Sequence, residues 1–137
     1  MNDKQLAIVC VDDEKVILDS LQEQLELQYG EEVLVEIAES ADEAWEVIQD
    51  LVDDGYELVL VISDWLMPKT KGDKFLVDLH QDFPQALTIL LTGQADEDAV
   101  ENARENANLY AYIKKPWRQE DLIERINNGL KQFDPAA

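Results

Sequence analysis

Short apolar runs alternate along the chain with longer stretches in which apolar residues recur every three or four positions. LAIVCV (6–11), VLVEIA (33–38), LVLVIS (58–63), ALTILLT (86–92) and LYAYIK (109–114) have strand length. Three of these five are almost continuously apolar, the pattern of strands covered on both faces. Between them the spacing turns helical. Ser40 and Glu43 form a capping box, after which Ala44, Val47, Ile48, Leu51 and Val52 share one face. Leu18, Leu21 and Leu25 predict a helix after the first run. Phe75, Leu76 and Leu79 predict another, stopped by Pro84, and Leu122, Ile123, Ile126 and Leu130 predict the last. The stretch from Asp96 to Asn106 offers an inner face of only Ala99, Val100 and Ala103, so it buries little and is expected to be the most loosely held helix. Five strands alternating with five helices predict an α/β protein with a parallel sheet and helices on both faces. A single domain over residues 1–137 is expected, with its core between about 5 and 133 and a frayed tail FDPAA.

Composition narrows the picture. A chain of 137 residues supports one hydrophobic core and is short for two. No apolar run approaches the ~18 residues of a membrane span, and MNDKQLAIVCVDDEK lacks the apolar centre of a secretory signal. The default expectation is therefore a cytoplasmic protein with no membrane partner. The single cysteine, Cys10, lies inside the first apolar run and reads as a buried, inert thiol. A net charge of −20 argues against nucleic-acid binding, which needs a basic surface. No Lys or Arg occurs from Val16 to Pro68, and Lys69, Lys71 and Lys74 cluster just beyond. An acidic face of this kind attracts basic partners, although a solvated surface explains it as well.

Parallel sheets place their ligand site at the carboxyl ends of the strands. Those ends carry Asp12 and Asp13 after the first run, Asp64 after the third, Thr92 at the close of the fourth, and Lys114 with Lys115 after the fifth. The second run ends in Ala38 and Glu39, as suits an edge strand away from the site. Three carboxylates on one rim repel each other unless a hard divalent cation offsets them, and oxygen ligands suit Mg²⁺. A hydroxyl and an ammonium beside such a cation can bind the peripheral oxygens of a phosphoryl group. Asp64, alone on its strand, is then the natural nucleophile, since carboxylates form aspartyl phosphates. Each residue has a blander explanation in isolation: Asp12 and Asp13 as a helix cap, Asp64 as the opening of a turn before Pro68. Together on one rim, they favour the metal reading. His80 reads as an exposed structural histidine, Trp45, Trp65 and Trp117 fall on three different elements, and Asp53, Asp54 and Gly55 make a turn rather than a calcium loop.

VDDE, SDWLMP followed by KG, LLTGQA and YIKKPW, each at a strand end, resemble the receiver domain of bacterial two-component response regulators over roughly residues 5–133. The resemblance implies a flavodoxin-like (βα)5 fold with strand order 2-1-3-4-5. It also implies Mg²⁺-dependent phosphoryl transfer to Asp64 from a histidine kinase or phosphotransfer protein. Asp12, Asp13, a carboxylate oxygen of Asp64 and the backbone carbonyl of Leu66 would hold the Mg²⁺, for which Mn²⁺ can substitute. Thr92 would bond a phosphoryl oxygen. Lys115, joined to Pro116 by a cis peptide in the family, would take the lysine role, a choice that spacing alone leaves open against Lys114. Tyr112 matches the switch aromatic that turns inward as Thr92 moves. The altered surface of the fourth helix, fifth strand and fifth helix would regulate a downstream effector, a fused output domain or a homodimer. Leu66 and Gln94 depart from the pattern of fast-cycling members: Leu66 is expected to restrict water and Gln94 to orient it weakly, which lengthens the life of the phosphorylated form. Arg118 is a poor N-cap for the last helix. No independent metabolic activity is expected beyond self-phosphorylation and slow autodephosphorylation. The alternatives are a phosphorylation-independent scaffold and an aspartyl-nucleophile phosphatase, whose DxD after the first strand VDDE does not fit.

Overall fold

The computed structural model describes residues 4–93 and 97–133. Its elements run β1 (Leu6–Val11), α1 (Lys15–Tyr29), β2 (Val33–Ala38), α2 (Ala41–Asp53), β3 (Glu57–Asp64), α3 (Gly72–Asp82), β4 (Leu87–Thr92), α4 (Glu97–Asn106), β5 (Ala111–Lys114) and α5 (Gln119–Gln132). All pairings are parallel and the sheet order is β2-β1-β3-β4-β5. This is the expected doubly wound, flavodoxin-like α/β fold. The order reverses between β1 and β3, the switch point at which such sheets hold their ligands.

Two cores sandwich the sheet. On one side Leu18, Leu21 and Leu25 of α1 and Leu122 and Ile126 of α5 pack on Ile8, Cys10, Leu60, Ile62, Ile89 and Leu91. On the other, α2, α3 and α4 pack on Ala7, Val9, Val11, Leu58, Val61 and Leu90. Because strands covered on both faces need no polar positions, the continuous apolar runs follow directly. β3 carries one irregularity. Ala7 pairs with Leu58 but Ile8 pairs with Leu60, so Val59 is an extra residue and both Val59 and Leu60 join the α1/α5 core.

The helices follow their apolar spacing with local corrections. Ser40 caps α2, its Oγ accepting the Glu43 N–H at 3.1 Å. Ala44, Ile48 and Leu51 are buried, whereas Val52 is 43% exposed, because 3.6 residues per turn carry it past the buried stripe at the helix end. α2 ends at Asp53, followed by Asp54 and the positive-φ Gly55, in the expected turn. α3 stops at Asp82, two residues before Pro84. β3 runs one residue further at each end than the apolar run, which makes Asp64 a strand residue paired with Leu91. β5 is two residues shorter than its run: the Leu109 N–H bonds the Ala103 carbonyl of α4 at 3.2 Å instead of joining the sheet ladder. α4 buries Ala99, Val100 and Ala103, as its sequence predicts, and leans mainly on α3. Cys10 is fully buried, and burial pushes its thiol up to about 12, in keeping with an inert role. Among the described residues no helix is long and apolar enough to cross a membrane.

Candidate functional site

The sheet register brings the acids together. Val11 pairs with Ser63, so Asp12 and Asp64 leave neighbouring strands at the same level. One carboxylate oxygen from each of Asp12, Asp13 and Asp64 lies within 4.8 Å of the others. Asp12 and Asp64 are buried and Asp13 is exposed. Of lysines 114 and 115, the second is the one that faces the acids. Lys114 ends β5 facing solvent, while Lys115 Nζ reaches 2.8 Å from Asp12 Oδ2, 3.0 Å from Asp64 Oδ1 and 3.8 Å from Glu14 Oε1. The Lys115 N–H donates to the Thr92 carbonyl at 2.9 Å, and the Lys115–Pro116 peptide is cis. Thr92 itself is buried at the end of β4.

The electrostatics are those of an over-acidic site. Burial pushes the Asp12 carboxyl above the usual carboxylate range, outweighing the hydrogen bonds from Lys115 and the Glu14 N–H. Asp64 is raised for the same first reason, with the Asp12 charge adding to it. Burial alone would lower Lys115, but the two carboxylates that it bonds outweigh that and hold its ammonium above the ordinary value. One lysine does not balance three acids, so the donor set fits a hard divalent cation with oxygen ligands. Asp12 is not a helix cap: its Oδ1 accepts the Glu14 N–H at 2.9 Å, and α1 begins after Glu14.

A cavity of about 630 Å³ opens on this cluster, lined among others by Asp13, Asp64, Trp65, Leu66, Gly93 and Lys115. Leu66 lies on the loop that bounds it and is 59% exposed. Gln94 falls outside the described residues. Tyr112 is 41% exposed, with the Arg104 guanidinium of α4 5.7 Å from its ring centroid. Arg118 precedes α5 without a side-chain cap, as expected, and its guanidinium makes an exposed ion pair with Glu120 at 3.9 Å. His80 is half-buried rather than exposed, because α3 packs closely on its neighbours; its Nδ1 is shielded from solvent and lacks a hydrogen-bond partner among the described residues. Trp65 walls the cavity, Trp117 donates to Gln24 Oε1 at 3.1 Å, and Trp45 meets Phe75 edge-on at 5.5 Å.

Sequence reasoning missed the backbone brace behind Asp64. Ser63 Oγ donates to the Asp64 carbonyl at 3.0 Å, the Trp65 N–H donates to the Leu91 carbonyl at 2.8 Å, and the Gly72 N–H donates to the Trp65 carbonyl at 2.8 Å. A Cβ at Gly72 would overlap the Asp64 carbonyl oxygen, so only glycine lets α3 begin this close to β3. The KG dipeptide was the available signal. Glu14 was also missed, because its part is played through its backbone N–H and its distance to Lys115.

Fold and rim together define a doubly wound α/β protein with a carboxylate and lysine site at its topological switch point. Comparison with known proteins takes this one step further. The family model for the response regulator receiver domain matches residues 8–127, and the chain belongs to that family. Among solved structures it is similar to the signal receiver domain of an HD domain-containing protein from Pseudomonas fluorescens, at TM-score 0.82 and 29% identity over 93% of this chain and 96% of that one. It is equally similar to a CheY-like receiver domain protein from Methanospirillum hungatei, at TM-score 0.82 and 29% identity, covering 98% of this chain and all of that one. The hydrogenase transcriptional regulatory protein HoxA of Cupriavidus necator is 29% identical over 96% of the chain, which spans 25% of HoxA. The response regulator Rre1 of Synechocystis is 29% identical over 96% of the chain, which spans 54% of that relative. The chain is thus one quarter to about half as long as these curated relatives.

Proposed function

We propose that this chain is a phosphoacceptor switch in which Asp64 takes a phosphoryl group from the phosphohistidine of a histidine kinase or phosphotransfer protein. The observation that carries the reading is the Lys115 ammonium, which bonds Asp12 and Asp64 together while Asp13 completes a three-carboxylate cluster around them. An Asp64 carboxylate oxygen attacks phosphorus, the P–O bond forms as the donor's P–N bond breaks, and the imidazole leaves with its bonding pair and takes up a proton. Lys115 steadies the negative charge on the peripheral oxygens from one side, and the Thr92 hydroxyl bonds one of them from the end of β4. Asp12, Asp13 and Asp64, with the Leu66 backbone carbonyl, are the groups that would hold Mg²⁺ or Mn²⁺, whose chemistry is to neutralise charge on the transferring group. Asp64 is buried beside Lys115, unlike an ordinary surface acid.

Inward movement of Thr92 then draws Tyr112 from its outward position and changes the α4, β5 and α5 surface. That surface regulates a downstream effector, a fused output domain of a longer protein or a second copy. The acidic chain does not itself bind nucleic acid. Incubation with Mg²⁺ and acetyl phosphate, followed by intact mass measurement, tests the reading. One labile phosphoryl adduct is expected, absent in Asp64→Asn; no adduct at saturating donor would instead support a phosphorylation-independent scaffold.

A further inference from the structure

One hydrogen-bond chain leaves the acceptor site by a route that Thr92 and Tyr112 do not use. Trp65, next to Asp64 and walling its cavity, donates its indole Nε1–H to Asp73 Oδ1 at 3.1 Å. Asp73 lies in the first turn of α3. Its other oxygen accepts from Asn102 Nδ2 of α4 at 2.8 Å, and Asn102 Oδ1 accepts from Asn106 Nδ2 at 2.8 Å. Each of the three donor nitrogens in this chain has an acceptor, and the carboxylate charge at Asp73 strengthens both bonds it accepts.

The setting makes this carboxylate matter. α4 buries three alanines and a valine through Ala99, Val100, Ala103 and the adjoining Ala107, so apolar contact holds it weakly. A charge-assisted bond in a part-buried position is then a large share of what keeps α4 in place. At the other end the Trp65 backbone is fixed through Leu91 and Gly72, and the Lys71 ammonium lies 5.1 Å from the centroid of its ring. The indole is therefore a stiff connection between the acceptor loop and Asp73.

We propose that Asp73 is a positioning residue that latches α4 to the Trp65 wall, so that events at Asp64 reach α4 through Trp65, Asp73 and Asn102. The second half of this inference rests on the metal-binding and acceptor role proposed for Asp64; the latch does not. The experiment uses the full chain as wild type, Asp73→Asn, Asn102→Ala and the double variant, with Mg²⁺ alone as the probe. Backbone hydrogen exchange across Ala99–Asn106 and the Trp65 indole resonance, identified by its loss in Trp65→Phe, are followed by NMR. Without Mg²⁺, either single variant is expected to exchange about tenfold faster in α4, with the double variant no faster than the singles. The Trp65 indole resonance is expected to shift in Asn102→Ala, although Asn102 does not bond the indole, which loss of helix stability alone would not produce. With Mg²⁺, wild type responds at both Trp65 and α4, and the variants at Trp65 only. Unchanged α4 exchange in both single variants, or additive effects in the double, overturns the latch. An Asp73→Asn protein whose α4 still responds fully to Mg²⁺ overturns the coupling. A wild type with no Mg²⁺ response at Trp65 counts against the metal reading, while the metal-free comparison still decides the latch.

Discussion

Asp13→Asn isolates the repulsion within the carboxylate cluster. The Asp13 side chain makes no hydrogen bond or ion pair among the described residues, so the substitution removes a charge without orphaning a donor. Its charge pushes up both Asp12 and Asp64. At the 4.8 Å limit of the cluster, and in the water-like medium suited to an exposed acid, each pair repels by about 0.9 kcal/mol. For the two pairs together, Asp13→Asn is expected to stabilise the metal-free protein by roughly 1–2 kcal/mol at low salt, or about 3–7 °C in melting temperature for a domain of this size. Mg²⁺ reverses the order. A cation that binds only the folded state adds about 2.7 kcal/mol at a hundredfold excess over its Kd, and the variant, lacking one ligand, gains less. Thermal unfolding in EDTA and across a Mg²⁺ titration should therefore give crossing curves. The pH dependence has a fixed sign. Asp12 and Asp64 have raised folded values, so their contribution to stability is complete below the unfolded carboxylate pKa near 3.9 and is lost as pH rises through those raised values. The advantage of the variant in EDTA should thus shrink as pH falls through the same range. A variant no more stable than wild type in EDTA, together with a wild type indifferent to Mg²⁺, would refute the reasoning.

Three further outcomes are expected. Gly72→Ala forces a methyl group into the Asp64 carbonyl and should cost about 3 kcal/mol or more by urea denaturation, with acetyl phosphate labelling lost even in the folded fraction; a stability within 0.5 kcal/mol of wild type, a margin roughly that of neutral surface changes, would contradict the close approach. Leu66→Asn should hasten phosphate release from the phosphorylated protein by placing a polar group on the loop that bounds the cavity, and an unchanged or slower release would remove Leu66 from any role in phosphate lifetime. Ser40→Ala should lower stability by about 1 kcal/mol through loss of the α2 cap while leaving labelling rates untouched.

Much of this site was written in single residues at strand ends. Asp12, Asp13, Asp64, Thr92 and Lys115 each follow an apolar run, and a parallel sheet collects such positions at one rim whatever the packing details. What the chain did not announce depends on contacts between distant segments. The preference for Lys115 over Lys114 is a matter of which side of β5 each faces, and the neighbouring lysines are indistinguishable by spacing. Asp73 looks like an ordinary acid in the first turn of a helix until Asn102, 29 residues later, is brought to its other oxygen. Gly72 looks like a loop residue until the Asp64 carbonyl is placed against it.

The irregularity at Val59 is the deepest of these hidden features, and it bears on the chemistry. Successive strand residues alternate between faces, so Asp64 should share the face of Leu58, six residues earlier. Leu58 packs in the α2, α3 and α4 core. The extra residue resets the alternation, and from Leu60 onward the even-numbered positions turn to the α1 and α5 side. Ile8 and Cys10 of β1 and Ala111 and Ile113 of β5 pack on that same side, so the alternation carries Asp12 and Lys115 there too. Leu90 lies on the opposite side, and Thr92, two residues on, keeps its parity. The bulge therefore lets β3 begin with Leu58 in one core and end with its carboxylate on the face of Asp12 and Lys115, with Thr92 across from them. An Asp64 carboxylate flanked from both faces of the sheet follows from that single added residue. Because Val59 is as apolar as its neighbours, a buried strand gives no alternation against which the insertion would stand out.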